Sequence, residues 1–457
     1  MRRRGPLTTM APAPPRTMKA LSTAASSGLP ALTVPVPTPS GQDGLTTHFY
    51  GKDPTMPNTE ILAALSGIHE LLRELLRGVP AADAAAPSDP RLGCLSWQFA
   101  QTVYRETYWL REVVAGDADL TARVRHLFAA GPASAPDAAV CGGLPPSAHL
   151  IDWAGEIQAE HLRRLATPGA LPAHPLLVDD RLAWYLLQEN ARAYERMLAL
   201  LWLRALTRPG DHYQVEIPLA PRLPALDRVE VKQGHYRIGS RGEPHADDLE
   251  LPPQAVELAS FRISTRPVSN AEYLAFIRDG GYQRRELWEA DGLAWLEAAA
   301  PRPAAPLGWR QDARGCWYER HLNGSADLLT DQPVNGINRY EARAFAAWTA
   351  SLGGDHAGAV VQHEYQWEVA ARAGLIDGAG RVWEWCANPL HPYPEFVPFP
   401  DSQTADDVFS RGDGVLRGAS LHTQRCLRRA SYRSAAAPDS RWGFAGTRLV
   451  YPPGSGL

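Results

Sequence analysis

Cysteine is scarce in this chain of 457 residues, which has five cysteines and no C-x-x-C pair. The five thiols are widely separated, so the sequence excludes a zinc knuckle and a dense disulfide framework. Reduced thiols in a cytoplasmic protein are the simplest interpretation. Neither sign of charge dominates, because 46 Lys and Arg side chains stand against 50 Asp and Glu side chains. This balance gives no electrostatic reason to expect nucleic acid or an anionic membrane as a partner.

Long apolar runs are also missing, and no uninterrupted stretch reaches the ~20 residues that a membrane span requires. The first 45 residues are rich in Pro, Ala, Ser and Thr and have no apolar period, which predicts a disordered tail. Their start, Arg2-Arg3-Arg4, resembles that of a secretion signal, but no apolar segment follows it. A mis-assigned start, with Met10, Met18 or a later residue as the true beginning, is the alternative explanation.

Helical periodicity dominates the region from about 46 to 208. Apolar side chains recur at helix spacing from Ile61 to Leu75, and three further long helices are predicted over about 95–114, 147–165 and 180–206. Four long helices joined by loops indicate a four-helix bundle.

From residue 209 to the end the pattern changes, and nine of the 14 Trp residues lie in this part. Two helices are predicted here, over 270–279 and 340–351. The predicted strands are 229–231, 236–238, 256–258, 261–263, 415–417 and 446–450. Trp-rich and Gly-rich loops separate these elements. The region therefore predicts an α+β domain with little regular structure.

Several phrases of the second region resemble the formylglycine-generating enzymes, or sulfatase-modifying factors. In chain order they are VEVKQGHYRIG (229–239), PVSNAEY (267–273), YEARAFAAW (340–348), EYQWEVAAR (364–372), VWEW (382–385), LRGAS (416–420) and GTRL (446–449). Two further phrases, FIRDGGY (276–282) and SRWGFAG (440–446), resemble the hercynine sulfoxide synthases of ergothioneine biosynthesis and the related selenoneine synthases. That family places a DinB-like four-helix bundle before a formylglycine-generating-enzyme-like (C-type-lectin-like) α+β domain. The resemblance thus implies a bundle over 46–208 and the second domain over 209–457.

The resemblance implies an iron enzyme. In the family, three bundle histidines bind one non-haem Fe(II), which uses O2 to join a thiol or selenol donor to C2 of a trimethylated histidine. Neutral imidazoles suit Fe(II) and leave positions open for O2 and the donor. Aligned on the family's two histidine motifs, LSWQFAQ (95–101) and LLQENARAYERML (186–198), this chain carries Gln101, Glu189 and Ala193 at the three ligand positions.

Because Ala193 has no donor atom, the residues conflict with the family's reaction. One interpretation is a repurposed member that binds a betaine amino acid without iron, and the other is an active oxidoreductase with rearranged ligands. A structural module without a ligand is a third reading. A carboxylate-rich metal site of Glu156, Glu160, Glu189 and His161 is a further hypothesis. Its alternative is a solvated helix face with ion pairs to Arg163 or Arg164.

Two other metal sites of the family are not matched by the sequence. The copper-binding cysteine pair is missing, because only Cys426 follows the LRGAS phrase and Cys386 lies far from it in sequence. Buried, inert thiols are the alternative reading of these two residues. The loop between Arg372 and Val382 is too short for the family's calcium-binding segment.

Substrate contacts are expected, by the resemblance, around the Trp-Glu-Trp phrase and the C-terminal loop. Aromatic faces attract a trimethylammonium group, and arginine pairs with a carboxylate. By position the candidates are Trp383, Glu384, Trp385, Tyr393, Tyr432, Arg433, Arg441, Trp442 and Phe444. For Trp383 and Trp385, core packing is the alternative role. The arginines at 425, 428, 429 and 433 predict a local anion site or an ion-pair network.

Overall fold

The computed structural model describes residues 59–128, 136, 138–208, 212–241, 245–400, 409–441 and 443–453. The predicted disordered tail lies outside this range. The helices are α1 (Thr59–Arg77), α2 (Ala81–Ala85), α3 (Leu95–Thr107), α4 (Asp119–Phe128), α5 (Ala138–Gly143), α6 (Ser147–Ala166), α7 (Arg181–Thr207), α8 (Asn270–Arg278), α9 (Ala290–Ala298), α10 (Arg339–Ser351) and α11 (Glu364–Arg372). Within these ranges, the model has no helix whose length and apolar character would let it span a membrane.

The four long helices predicted in the first region are present as α1, α3, α6 and α7, and they pack on one another. α3 continues into a π-helical segment, Tyr108–Val114, so the pair covers the predicted 95–114. The apolar stripe of α1 is buried against the other helices, which gives the bundle its core.

Strands occupy the second region, as predicted, and confirm its α+β class. They are β1 (Arg228–Val231), β2 (Gly234–Ile238), β3 (Gln254–Leu258), β4 (Phe261–Ser264), β5 (Trp309–Gln311), β6 (Trp317–His321), β7 (Gly324–Asp327), β8 (Val360–Val361), β9 (Trp383–Pro389), β10 (Gly414–Arg417), β11 (Ser434–Ala436), β12 (Ala445–Thr447) and β13 (Leu449–Tyr451). Two four-stranded sheets run in the orders β1-β4-β13-β8 and β11-β10-β9-β12. β2 and β3 form an antiparallel pair, and β5-β6-β7 is a small antiparallel sheet.

The predicted strand over 446–450 is divided between the two large sheets. β12 pairs with β9 in parallel, whereas β13 pairs with β4 and β8. Between them, Arg448 is fully buried and donates to both carboxylate oxygens of Glu384 at 2.8 Å. A single strand was therefore the wrong prediction, because a buried ion pair separates the two segments.

The expectation that all thiols are reduced is wrong for two cysteines. Cys94 and Cys141 form a disulfide with a Cα–Cα distance of 6.2 Å, which links the start of α3 to α5. Their sequence separation of 47 residues gave no pairing signal. Cys386 and Cys426 are poor nucleophiles, because burial raises the pKa of the Cys426 thiol to about 11 and holds that of the Cys386 thiol well above its usual value.

Candidate functional site

A cavity of about 330 Å³ lies between α7 of the bundle and the loops of the second region. α3 contributes Arg105, and α7 contributes Tyr185, Glu189, Arg192, Glu195, Arg196 and Ala199. The second region contributes Asp247, Asp248, Leu249, Trp383, Leu390, Phe396, Phe399, Arg411, Leu416, Leu427, Tyr432, Arg433, Ser434, Ala435, Ala436, Gly443 and Phe444. The cavity therefore combines an aromatic and aliphatic wall with an unusual number of charged groups.

The periodicity of α7 explains why so many polar side chains converge here. Glu189, Arg192 and Arg196 follow one another at spacings of three and four residues, so they lie on one face of the helix. The adjoining face carries Ala193 and Met197, which are buried in the bundle core. Side chains of one helix thus pack in the bundle core, while those on the neighbouring face line the cavity.

Glu189 is held between two guanidinium groups. It pairs with Arg105 from α3 and accepts a hydrogen bond from Arg192 at 2.6 Å. Burial disfavours the charged carboxylate, but Arg105 and Arg192 outweigh this and lower the pKa of Glu189 to about 2. Arg192 also pairs with Asp247 and donates to the hydroxyl of Tyr432 at 2.9 Å. Glu189 is consequently an ionised, fully engaged carboxylate.

The three positions that the resemblance assigns to iron ligands do not supply a donor set for iron. Ala193 is fully buried among apolar side chains, and Gln101 is buried on α3. Glu189 is already engaged by Arg105 and Arg192. Among the residues that the structure describes, no group of three or more His, Cys, Asp or Glu side chains is arranged to hold a metal ion.

The structure does not bring together the proposed carboxylate-rich metal site. Glu156 is exposed, and Glu160 pairs with Arg164 of the same helix at 2.6 Å. His161 contacts Glu106 in the bundle core instead of Glu189. These contacts fit the alternative, a helix face with ordinary ion pairs.

Glu195 ties the bundle to the second region at the edge of the cavity. Its carboxylate accepts hydrogen bonds from Trp383 Nε1 at 2.7 Å, from Thr423 Oγ1 at 2.9 Å and from the Ser420 hydroxyl. Burial raises the pKa of Glu195, although all three donors oppose the shift. The indole of Trp383 is thereby fixed at its edge, and its ring lies 6.1 Å from that of Tyr432, centroid to centroid.

Two adjacent carboxyl groups, Asp247 and Asp248, form another part of the wall. Asp247 faces Arg192, whereas Asp248 accepts the backbone N–H of Phe399 at 3.1 Å. Burial, and next the negative charge of Asp247, raise the pKa of Asp248 to about 8. At neutral pH the pair therefore carries about one negative charge.

The raised pKa of Asp248 predicts that stability falls as the pH rises. The folded protein holds a proton on Asp248 up to about pH 8, whereas the unfolded chain releases it near pH 4, so unfolding is favoured between these values. We expect the free energy of unfolding of Asp248→Asn, measured by urea denaturation, to exceed that of the wild type at pH 9 by on the order of 2–4 kcal/mol. At pH 4 the two are expected to converge.

The matched control for this measurement is Asp152→Asn, which changes an exposed aspartate of α6. It is expected to follow the wild-type pH profile within about 0.5 kcal/mol. A constant difference between Asp248→Asn and the wild type from pH 4 to pH 9 would contradict the assignment.

The structure places the sequence-derived substrate residues in two groups. Trp383, Tyr432, Arg433 and Phe444 line the cavity. Among the rest, Glu384 binds the buried Arg448, Trp385 donates to the carbonyl of Ile337, Tyr393 lies beneath Arg433, and Arg441 pairs with Glu341. Trp442 lies outside the described residues.

Arg433 lines the cavity, but its guanidinium already donates hydrogen bonds to protein acceptors through all three nitrogens. It donates to both oxygens of the Glu364 carboxylate, at 2.8 and 2.9 Å, and to the carbonyls of Leu249 and His391. In the predicted arginine cluster Arg429 likewise pairs with a carboxylate, that of Glu250, whereas Arg428 donates to backbone carbonyls. Sequence reasoning missed Arg105, Arg192 and Arg196, whose guanidinium groups line the cavity. For Arg192 and Arg196 the spacing to Glu189 on α7 was a readable signal, whereas Arg105 lies on another helix.

Known proteins resemble both regions of the chain. The family model of the sulfatase-modifying factor enzyme 1-like domain matches residues 214–377. A hercynine oxygenase of Mycolicibacterium smegmatis is 29% identical over 422 residues, which cover 79% of this chain and 92% of the relative. The hercynine oxygenases of Mycolicibacterium thermoresistibile and Mycobacterium tuberculosis are 32% and 29% identical over 46% and 47% of this chain. These two alignments span only 54% and 58% of the relatives.

Proposed function

We propose, from the premise that this chain is a homologue of the hercynine oxygenases with a sulfatase-modifying factor domain, that it binds an amino-acid betaine of the hercynine type without the family's iron. The ligand would occupy the cavity between α7 and the second region. The protein is then a repurposed member of a family related to ergothioneine-type biosynthesis.

The cavity wall has the chemistry that a betaine requires. Trp383, Tyr432 and Phe444 present aromatic faces, to which a trimethylammonium group is attracted through the ring quadrupoles. Asp247 and Glu195 also line the cavity, so their carboxyl groups lie near these rings. Such a wall suits a quaternary ammonium group, which cannot donate hydrogen bonds and is recognised by surface and charge.

The observation that carries the proposal is the state of Glu189. A cation at this position would have to displace Arg105 and Arg192 from the carboxylate and would then stand beside two positive charges. Repulsion of this kind amounts to several kcal/mol per pair in a partly buried site. The arginines thus provide the positive charge that a metal would otherwise contribute.

Iron content and ligand binding test the two parts of this proposal separately. Full-length protein loaded anaerobically with Fe(II) and desalted is expected to retain far less than one iron per chain. Calorimetric titration with trimethylhistidine is expected to show saturable binding. Trp383→Leu should weaken that binding about 5- to 30-fold, because a desolvated cation–π contact is worth about 1–2 kcal/mol.

Trp317→Leu is the matched control, since Trp317 lies on β6 and does not line the cavity. It should leave the affinity for trimethylhistidine unchanged. Near-equimolar iron that is lost in Glu189→Ala would favour the alternative, an iron-dependent oxidoreductase with rearranged ligands. Absence of heat at millimolar trimethylhistidine would refute the binding proposal.

A further inference from the structure

We propose that Arg196 is an anion-binding residue of the cavity and that the ligand carries an oxyanion, a carboxylate or a phosphate group, which pairs with its guanidinium. This inference rests on the proposed function in using the same cavity. It adds a recognition element that neither the sequence motifs nor the relatives assign.

The other arginines of the cavity wall already have carboxylate partners. Arg105 pairs with Glu189, Arg192 with Glu189 and Asp247, and Arg433 with Glu364. Arg411, the fourth of these, donates to the carboxylate of Asp413 at 3.1 Å. Each of these charges is therefore compensated by the protein itself.

Arg196 differs from them in its only hydrogen-bond partner among the described residues, the neutral amide of Gln98. Its Nε donates to Gln98 Oε1 at 3.1 Å. The amide nitrogen of Gln98 in turn donates to the carbonyl of Leu92 at 2.8 Å, which fixes the amide with its oxygen toward Arg196. The guanidinium is thus oriented through Nε, while the two terminal nitrogens retain their donors for a ligand.

The electrostatics around Arg196 leave its positive charge uncompensated. Burial disfavours its charged form, and the nearby Arg105 and Arg192 add to this, so its pKa is lowered to about 10 although Glu189 favours the charge. Within this group three arginines meet two carboxylates, Glu189 and Asp247, an excess of one positive charge. Arg196 is still protonated at neutral pH, and a partly buried charge without a counter-ion favours binding of an anion.

A guanidinium with two free terminal nitrogens matches the geometry of an oxyanion. Carboxylate and phosphate oxygens accept two parallel N–H bonds from such a group, which makes the pair directional. The cavity also contains apolar side chains, among them Leu416, Leu427 and Phe444. The wall therefore fits a small organic anion with an apolar or aromatic body.

Simple oxyanions test Arg196 independently of any betaine. Thermal unfolding of the full chain would be followed at constant ionic strength with chloride replaced by acetate in one arm and by inorganic phosphate in the other. We expect one or both anions to raise the midpoint in a saturable way, and the arm with the lower half-saturation to identify the oxyanion class. Arg196→Gln should raise the half-saturation concentration at least tenfold, whereas Arg196→Lys, which keeps the charge, should change it less.

Arg123→Gln is the matched control, because Arg123 is exposed on α4 and does not line the cavity. It should respond to both anions as the wild type does. An equal response of Arg196→Gln and the wild type, or no saturable response in either arm, would overturn the inference.

A measurement on the wild-type protein tests the inference even if the variants fail to fold. Phenylglyoxal modifies accessible guanidinium groups, and peptide mass spectrometry can locate the modified residue. Acetate or phosphate should protect Arg196 from modification but not Arg123, and lack of protection would contradict an anion at Arg196. Binding of trimethylhistidine that is insensitive to Arg196→Gln would refute this inference alone, while oxyanion binding without trimethylhistidine binding would refute only the proposed function.

Discussion

Replacement of Glu384 by Gln is expected to lower the free energy of unfolding by about 3–5 kcal/mol, as measured by urea denaturation at pH 7. Glu384 is fully buried and holds the equally buried Arg448 with two hydrogen bonds of 2.8 Å. It also accepts the side-chain N–H groups of Gln362 and Trp367, at 3.0 and 3.1 Å. A neutral amide would leave the Arg448 charge without a counter-ion between the two large sheets.

The matched control is Glu257→Gln, which makes the same change at an exposed position of β3. It should alter the free energy of unfolding by no more than about 0.5 kcal/mol. If Glu384→Gln were as stable as this control but failed to bind trimethylhistidine, Glu384 would be a ligand-binding residue, as its place in the Trp-Glu-Trp phrase had indicated, and the structural role would be refuted.

Loss of the Glu106 carboxylate should destabilise the bundle by a similar amount. Glu106 on α3 is fully buried and accepts His69 Nε2 from α1 at 2.9 Å and His161 Nδ1 from α6 at 3.0 Å. We expect Glu106→Ala to cost about 3–5 kcal/mol at pH 7 in urea denaturation, since two buried imidazoles lose their partner and a cavity remains.

The pH dependence of this loss follows from the direction of the pKa shift. Burial opposes ionisation of Glu106, but His69 and His161 outweigh it and hold its pKa well below the usual value. The stabilisation is therefore complete above about pH 4.3 and is lost progressively at lower pH. Glu74→Ala, on the exposed face of α1, is the control and should differ from the wild type by at most about 0.5 kcal/mol. A deficit in Glu106→Ala that grows below pH 4 would contradict the shift.

Helices with a strong apolar period were predictable, and elements defined by long-range pairing were not. The apolar stripe from Ile61 to Leu75 depends only on local sequence spacing, and it predicted α1 correctly. β5 and β7 have three and four residues and carry no alternation that distinguishes them from loops. Their pairing with β6 depends on contacts that no local pattern records.

For the candidate site, the sequence indicated which residues lie at the cavity better than it indicated what those residues contact. Alignment on the family's motifs singled out Glu189, and the structure places it in the cavity wall. Its ion pair with Arg105 could not be read from the alignment, because it depends on the separation of α3 and α7, whereas Arg192 lies three residues away on the same helix. Arg433 was expected to bind a ligand because of its residue type and position. Its charge is already paired with Glu364, so it is not free to bind a carboxylate.

Because α7 contributes side chains to both the bundle core and the cavity, both sets of contacts fix the rotation of the helix about its axis. Each residue of an α-helix advances the side-chain direction by about 100°. One residue inserted before Glu189 would turn the carboxylate and both α7 arginines away from the cavity, or else carry Ala193 and Met197 out of the core. A one-residue insertion or deletion within this helix would therefore disrupt either the core or the cavity, so we expect its cavity-facing residues to change by substitution. The facing wall, built largely from loops, is free to vary in length as well.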